Sequence, residues 1–223
     1  MPYSEPSSKL ARRGNLRRRR PDDASSDLPR APAEGLTGKF GFHPRFLTAI
    51  MAAPADAQPM TSAFSRYSAL PDEQRQQAES ACRELTEEIY PGLGLRGEIR
   101  MVAARSLGDT LLWDRDSRLA GFAVCHWGPA SEAGEGCCFA KFAAVRPGPG
   151  AGERFGKLLD ACGMLARQAG MPNVLAGVNL AREEAYRHML ARGFRTMVQG
   201  VTMHRPNEPG YSAPGLYVLD NWR

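Results

Sequence analysis

The sequence has no apolar run near the roughly 20 residues needed to cross a bilayer, and its first thirty residues carry no apolar core of the secretory kind. The expectation is a cytoplasmic protein with no membrane partner. It also lacks C-x-x-C pairs. The five cysteines, Cys82, Cys125, Cys137, Cys138 and Cys162, are odd in number and have no histidine at zinc-ligand spacing. That excludes a disulfide framework or zinc ribbon and leaves reduced thiols and no metal. Residues 1–36 have few large apolar side chains. Such a stretch cannot bury enough surface to offset its ordering entropy, so a disordered tail is expected there.

What the tail does have is arginine, at Arg12, Arg13 and Arg17 to Arg20. Clustered positive charge can grip nucleic acid by releasing counterions. Asp22, Asp23 and Asp27 follow at once, and 29 basic against 24 acidic residues give a formal charge of only +5. A solvated tail is the preferred reading and nucleic acid is not an expected partner. Residues 41–51, GFHPRFLTAIM, form the only apolar island before residue 64 and read as a short strand, with a Pro- and Ala-rich linker after it. The domain division expected is 1–36 tail, 37–65 strand and linker, and 66–223 a single α/β domain.

Within that domain, Pro71-Asp72-Glu73 suits a helix start, and Ala78, Ala81, Cys82, Leu85 and Ile89 recur at helical spacing up to Pro91-Gly92. A second helix is predicted over 98–106. Strands are predicted over 110–114, 119–127 and 137–145, an antiparallel meander because the loops between them are short. The third, CCFAKFAAV, is apolar on both faces apart from Lys141 and belongs in the middle of a sheet. A helix over 152–169, a strand over 174–178, a helix over 182–192 and strands over 195–204 and 216–220 complete the order. That order predicts an α/β fold with a mixed, mostly antiparallel sheet flanked by helices, with one crossover in its second half.

The junction VRPGPGAGERFGKLL, residues 145–159, carries the strongest chemical signal. A strand that ends in glycines and feeds a helix aims unpaired N–H groups and the positive end of the helix dipole at one place, where phosphate binds. Glycine lets an anion approach the backbone, and Arg154 can add a charge-assisted bond. No G-K-[ST] follows, so it is not a P-loop. Val145, Pro147, Gly152, Gly156, Leu158 and Leu159 resemble the pyrophosphate motif of the GCN5-related N-acyltransferase family, V-x-P…[RQ]-x-x-G-x-[GA]-x-x-L-L. Ala151 stands at the Arg/Gln position and Arg154 at the middle glycine. Val178, Ala185, Gly193 and Phe194 are similar to a second motif of that family, V-x-x-x-N-x-x-A-x-x-x-Y-x-x-x-G-F, with Arg182 at its Asn and Met189 at its Tyr.

The resemblance spans residues 67–223 and implies an acetyltransferase or other acyltransferase that takes acetyl-CoA, or another acyl-CoA, as co-substrate. By that likeness the main chain of Ala143, Ala144 and Val145 would pair with pantetheine. Gly150, Ala151, Gly152, Glu153, Arg154, Phe155 and Gly156 would hold the pyrophosphate, with Arg182 also in contact. Tyr186 or His188 would stand in for the missing Tyr as the acid that protonates the departing thiolate. The acceptor would be a small-molecule or peptide amine, read by the loops at 128–136 and 207–215. A homodimer through terminal strands is also expected. The departures at Ala151, Arg154 and Met189 keep an alternative in view, a catalytically degenerate domain of this fold that binds CoA or another protein. Lys39-Phe40-Gly41-Phe42 resembles the K-x-G-F ending of the second motif, which suggests that residues 37–51 are the last piece of a first such unit in tandem. Lys141, His126, Cys137 and Cys138 are read as packing residues.

Overall fold

The computed structural model describes residues 40–55, 64–205 and 207–221. The arginine tail and the middle of the linker lie outside the described residues. The strands are β1 (His43–Pro54), β2 (Ser65–Arg66), β3 (Gly108–Arg115), β4 (Arg118–His126), β5 (Cys137–Val145), β6 (Asn173–Asn179), β7 (Arg195–His204) and β8 (Val218–Asp220). The helices are α1 (Asp72–Ile89), α2 (Arg96–Ala104), α3 (Ala151–Gln168) and α4 (Glu183–Ala191). One sheet runs β2-β3-β4-β5-β6-β1-β7, with β8 paired to β5 off that path. The expected mixed, mostly antiparallel sheet is present: β5 and β6 are parallel, joined through α3, and the other pairings are antiparallel.

The strands' alternation sorts side chains into two cores. Leu111, Ala123, Cys125, Ala143, Val145 and Leu219 face α3 and α4, where they meet Phe155, Leu158, Cys162 and Met189. Their neighbours Leu112, Phe122, Val124, Phe142, Ala144 and Val218 face α1 and α2, where they meet Cys82, Leu85, Ile89, Ile99 and Val102. A Leu or Phe buried this fully contributes roughly 1.5–3 kcal/mol. Glu79 is the exception on α1. It is buried and accepts hydrogen bonds from Tyr67 (2.7 Å), Arg96 (2.8 Å) and Arg100 (2.7 Å), which tie α1 to α2. Burial alone would raise its carboxyl, but the bonds from Arg100, Tyr67 and Arg96 outweigh it and bring it down to about 2.

Two departures from the sequence reading matter for the site. The island at 41–51 is an integral strand: β1 lies between β6 and β7, with Ala49 opposite both Val178 and Gln199. Its apolar residues fill this sheet, Ala49 and Met51 fully buried, which removes the ground for reading it as a unit that has lost its sheet. The second departure is a bulge in β5. Val124 pairs with Phe142 and Cys125 with Ala140, so Lys141 is the extra residue. A bulge bends its strand. Pairing between β5 and β6 ends beside it, at Ala140 and Ala176.

Candidate functional site

Beyond Val145 the chain turns through Gly148 (φ +105°) and Gly150 (φ +75°) into α3, with Gly150 as the N-cap. Both positions need the left-handed backbone that glycine adopts without a Cβ penalty. Arg154 folds back over the turn and donates to Pro149 O and Arg146 O, each at 2.8 Å. Its guanidinium thus fixes the loop's shape. Helix geometry leaves the first-turn N–H groups of Gly152 and Glu153 with no carbonyl inside the helix. Beside the turn lies a cleft of about 470 Å³ into which Arg115, Arg118, Arg146 and Arg154 converge, with Asp116 and Glu153 at its rim. Glu88 on α1 pairs with both Arg146 and Arg118, and Glu84 pairs with Arg118.

Gly152 and Gly156 also lie close to side chains of the protein itself. A Cβ on Gly152 would lie 2.9 Å from both His188 Nε2 and Tyr217 Oη, and one on Gly156 would run into the Arg192 guanidinium, which Asp160 holds at 2.9 Å. A side chain at either position would force these neighbouring side-chain ends to shift, so the protein's own packing also favours glycine there. Phe155, His188 and Tyr217 form a ring cluster over this first turn, with centroids 5.4–6.2 Å apart. Burial, reinforced by Arg192, lowers the His188 pKa below its ordinary value and keeps the ring neutral. Tyr217, which the sequence did not single out, is therefore as close to the glycine turn as His188. Tyr186, on α4, is partly buried against the core, and Met189, at the motif's Tyr position, is fully buried.

The groove that opens where β5 leaves β6 is not free for a ligand. β8 lies in it, pairing Phe142 with Asp220, Ala143 with Leu219 and Ala144 with Val218, and the Val145 N–H donates to Tyr217 O at 3.3 Å. Ala143, Ala144 and Val145, whose main chain the resemblance offers to pantetheine, here pair with a strand of the same protein. Gly177 on β6 makes room for it, because a Cβ there would run into the Asp220 carbonyl. Arg182, expected in contact with the cofactor, is turned toward β8. It is fully buried, donates to Asp220 Oδ1 (2.6 Å) and Val218 O (2.8 Å), and stacks on Tyr211, whose hydroxyl reaches Asp220 Oδ2 at 2.8 Å. These bonds fasten β8.

At the other end of the groove, next to the β5 bulge, Lys141 pairs with Glu132 from the loop at 128–136 and lies 3.6 Å from Glu98 on α2. The buried His126 sits 3.2 Å from the same Glu98 oxygen. Burial pushes the His126 pKa down, with Lys141 adding to it, against the pull of Glu98. Lys141 and His126, read from the sequence as packing residues, thus form one ionisable cluster with Glu132 of the loop at 128–136 and Glu98 of the second predicted helix. Burial raises the Cys137 thiol, and hydrogen bonding with Cys138 and Cys162, together with burial, raises the Cys125 thiol, which disfavours a reactive thiolate at both.

No family model matches the sequence, and no curated protein matches it. The fold does match solved structures. A GCN5-related N-acetyltransferase from Sphaerobacter thermophilus aligns at 20% identity over 76% of this chain, with a TM-score of 0.51. A Pyrococcus horikoshii protein described as a candidate acetyltransferase aligns at 12% over 85% (0.54), and a conserved protein of unknown function from Staphylococcus epidermidis at 9% over 78% (0.53). The chain spans only 54%, 55% and 66% of those proteins' lengths. The protein has the GCN5-related N-acetyltransferase fold. Among the described residues no helix is long and apolar enough to cross a membrane.

Proposed function

We propose that this domain binds acyl-CoA through the turn at 146–156 and transfers the acyl group to an amine. The observation that supports it best is the junction of β5, a glycine turn and the free first turn of α3, with four arginines converging beside it. The main chain of Gly152 and Glu153 would face the phosphates, with Arg154 holding the turn in shape and Arg146 and Arg118 lining the approach. Acyl-CoA supplies the activated thioester when bound. His188 and Tyr217 stand at the phosphate end of the groove, whereas Lys141, Glu98, His126 and Glu132 gather where β5 parts from β6. The acceptor amine's proton is assigned to that second cluster, in which neutral His126 can accept it. The acceptor is a small-molecule or peptide amine, with the loops at 128–136 and 207–215 as the variable walls.

The occupied groove favours a second reading, a domain that keeps the fold as a binding module without acyl transfer. Melting curves with and without CoA, together with an assay of thiol release from acetyl-CoA, separate the two. Ligand at 100 times its Kd adds about 2.7 kcal/mol, a rise of roughly 5–10 °C for a domain of this size. Pro149 is exposed on the cleft wall, so Pro149→Glu places a negative charge there without disturbing the core. A CoA-dependent rise lost in Pro149→Glu supports CoA binding at the turn, and release of the CoA thiol from acetyl-CoA in the presence of an amine then supports the enzyme reading over a CoA-binding module. No rise in the parent protein supports the module.

A further inference from the structure

The groove beside β5 is a seat for one extended main chain, and its occupant here is the protein's own segment 217–220. Three observations define that seat. The bulge at Lys141 ends β5–β6 pairing and opens the groove. The main chain of residues 142–145 is paired to the segment through three register partners and the 3.3 Å Val145–Tyr217 bond. The opposite wall is cut for it by Gly177, where any Cβ would meet the Asp220 carbonyl. The segment's grip is uneven. Asp220 is locked at one end by a buried Arg182 and by Tyr211, whereas the end nearest the glycine turn enters through Pro214 and Gly215 (φ +78°) and is held by an exposed Gly215 N–H bond to Glu184, the long Val145 bond and the tilted and edge-on contacts of Tyr217 with Phe155 and His188.

We propose that residues 217–220 are a built-in competitor of the ligand. Resting on the acyl-CoA reading above, the amide-bearing arm of CoA and this segment require the same main-chain groups at Ala143 to Val145, so the arm enters only as the segment peels away from the Tyr217 end. The phosphate turn and the groove are then coupled. Tyr217 lies against Gly152, so an anion settling on the first turn of α3 pushes at the segment's loose end. Apparent affinity falls by the fraction of molecules in which the segment is already out, and any change that loosens it tightens binding by the same factor.

Ala144 and Val218 face each other in the register. The Val145 N–H to Tyr217 O bond makes them a non-hydrogen-bonded antiparallel pair, whose Cα atoms lie about 4.5 Å apart and suit a disulfide. The test is the double variant Ala144→Cys/Val218→Cys as the full chain, titrated with CoA by calorimetry in its reduced and crosslinked forms, with Val218→Cys alone as the oxidation control. The expected result is at least a tenfold loss of affinity on crosslinking relative to the reduced form of the same double variant, restored by reductant. Equal affinity in both forms overturns the competition and leaves the acyl-CoA reading standing. Absence of binding in the parent and in both forms overturns the acyl-CoA reading and the competition with it.

Discussion

The glycine turn at 146–156 and the groove beside β5 adjoin each other and satisfy their main chain in opposite ways. The turn closes on itself: Gly148 and Gly150 take positive φ, Arg154 binds two carbonyls eight residues or fewer away, and the first helical N–H groups face outward. The groove is closed by a strand more than seventy residues downstream, fastened by a buried ion pair. A site made from neighbouring residues stays open, while one made from distant ones can be filled by the chain itself. The contrast teaches that a phosphate-binding turn by itself does not establish access for the rest of the ligand.

The groove should be far more sensitive to mutation than the turn. Arg182→Met leaves Asp220 buried without its cation, which costs about 3–5 kcal/mol and should lower Tm by roughly 10 °C; a drop of under 3 °C would mean the segment is not locked as described. Away from both regions, Glu79 sets an acid limit. Its folded pKa of about 2 lies below the ordinary 4.5, so its stabilisation is complete above pH 4.5 and is lost as the pH falls toward 2. That amounts to about 3 kcal/mol, to be read as a difference in acid denaturation between the parent and Glu79→Gln. Gly177→Ala forces the β6 wall against Asp220 and should destabilise by about 1–3 kcal/mol in urea unfolding. Smallest is Arg154→Ala, which removes two partly exposed bonds in the turn, with an expected loss of about 1–2 kcal/mol. If Arg154→Ala proved costlier than Arg182→Met, the contrast between turn and groove would be reversed.

Much of this architecture is written locally. β5 and β7 have the bounds that their apolar runs and flanking turns predict, and α3 starts within a residue of the expected place because Gly150 caps it. The positions of β1 and β8 in the sheet are not local. The strand character of both is legible, but nothing in HPRFLTAIMAAP states that it inserts between β6 and β7, since any apolar strand with alternate small residues fits a sheet interior. The same holds for Gly152, Gly156 and Gly177. A glycine needed because Tyr217, Arg192 or Asp220 comes close looks, in sequence, like a glycine that admits a ligand. Glu79 was invisible for a related reason: a single acid on a helix reads as solvent-facing until Arg96 and Arg100 from the next helix are placed around it.

Hydrogen exchange of the full chain with and without saturating CoA tests the account most directly. It predicts that amides at 150–156 gain protection while those at 217–220 lose it. Unchanged exchange at both segments would contradict it.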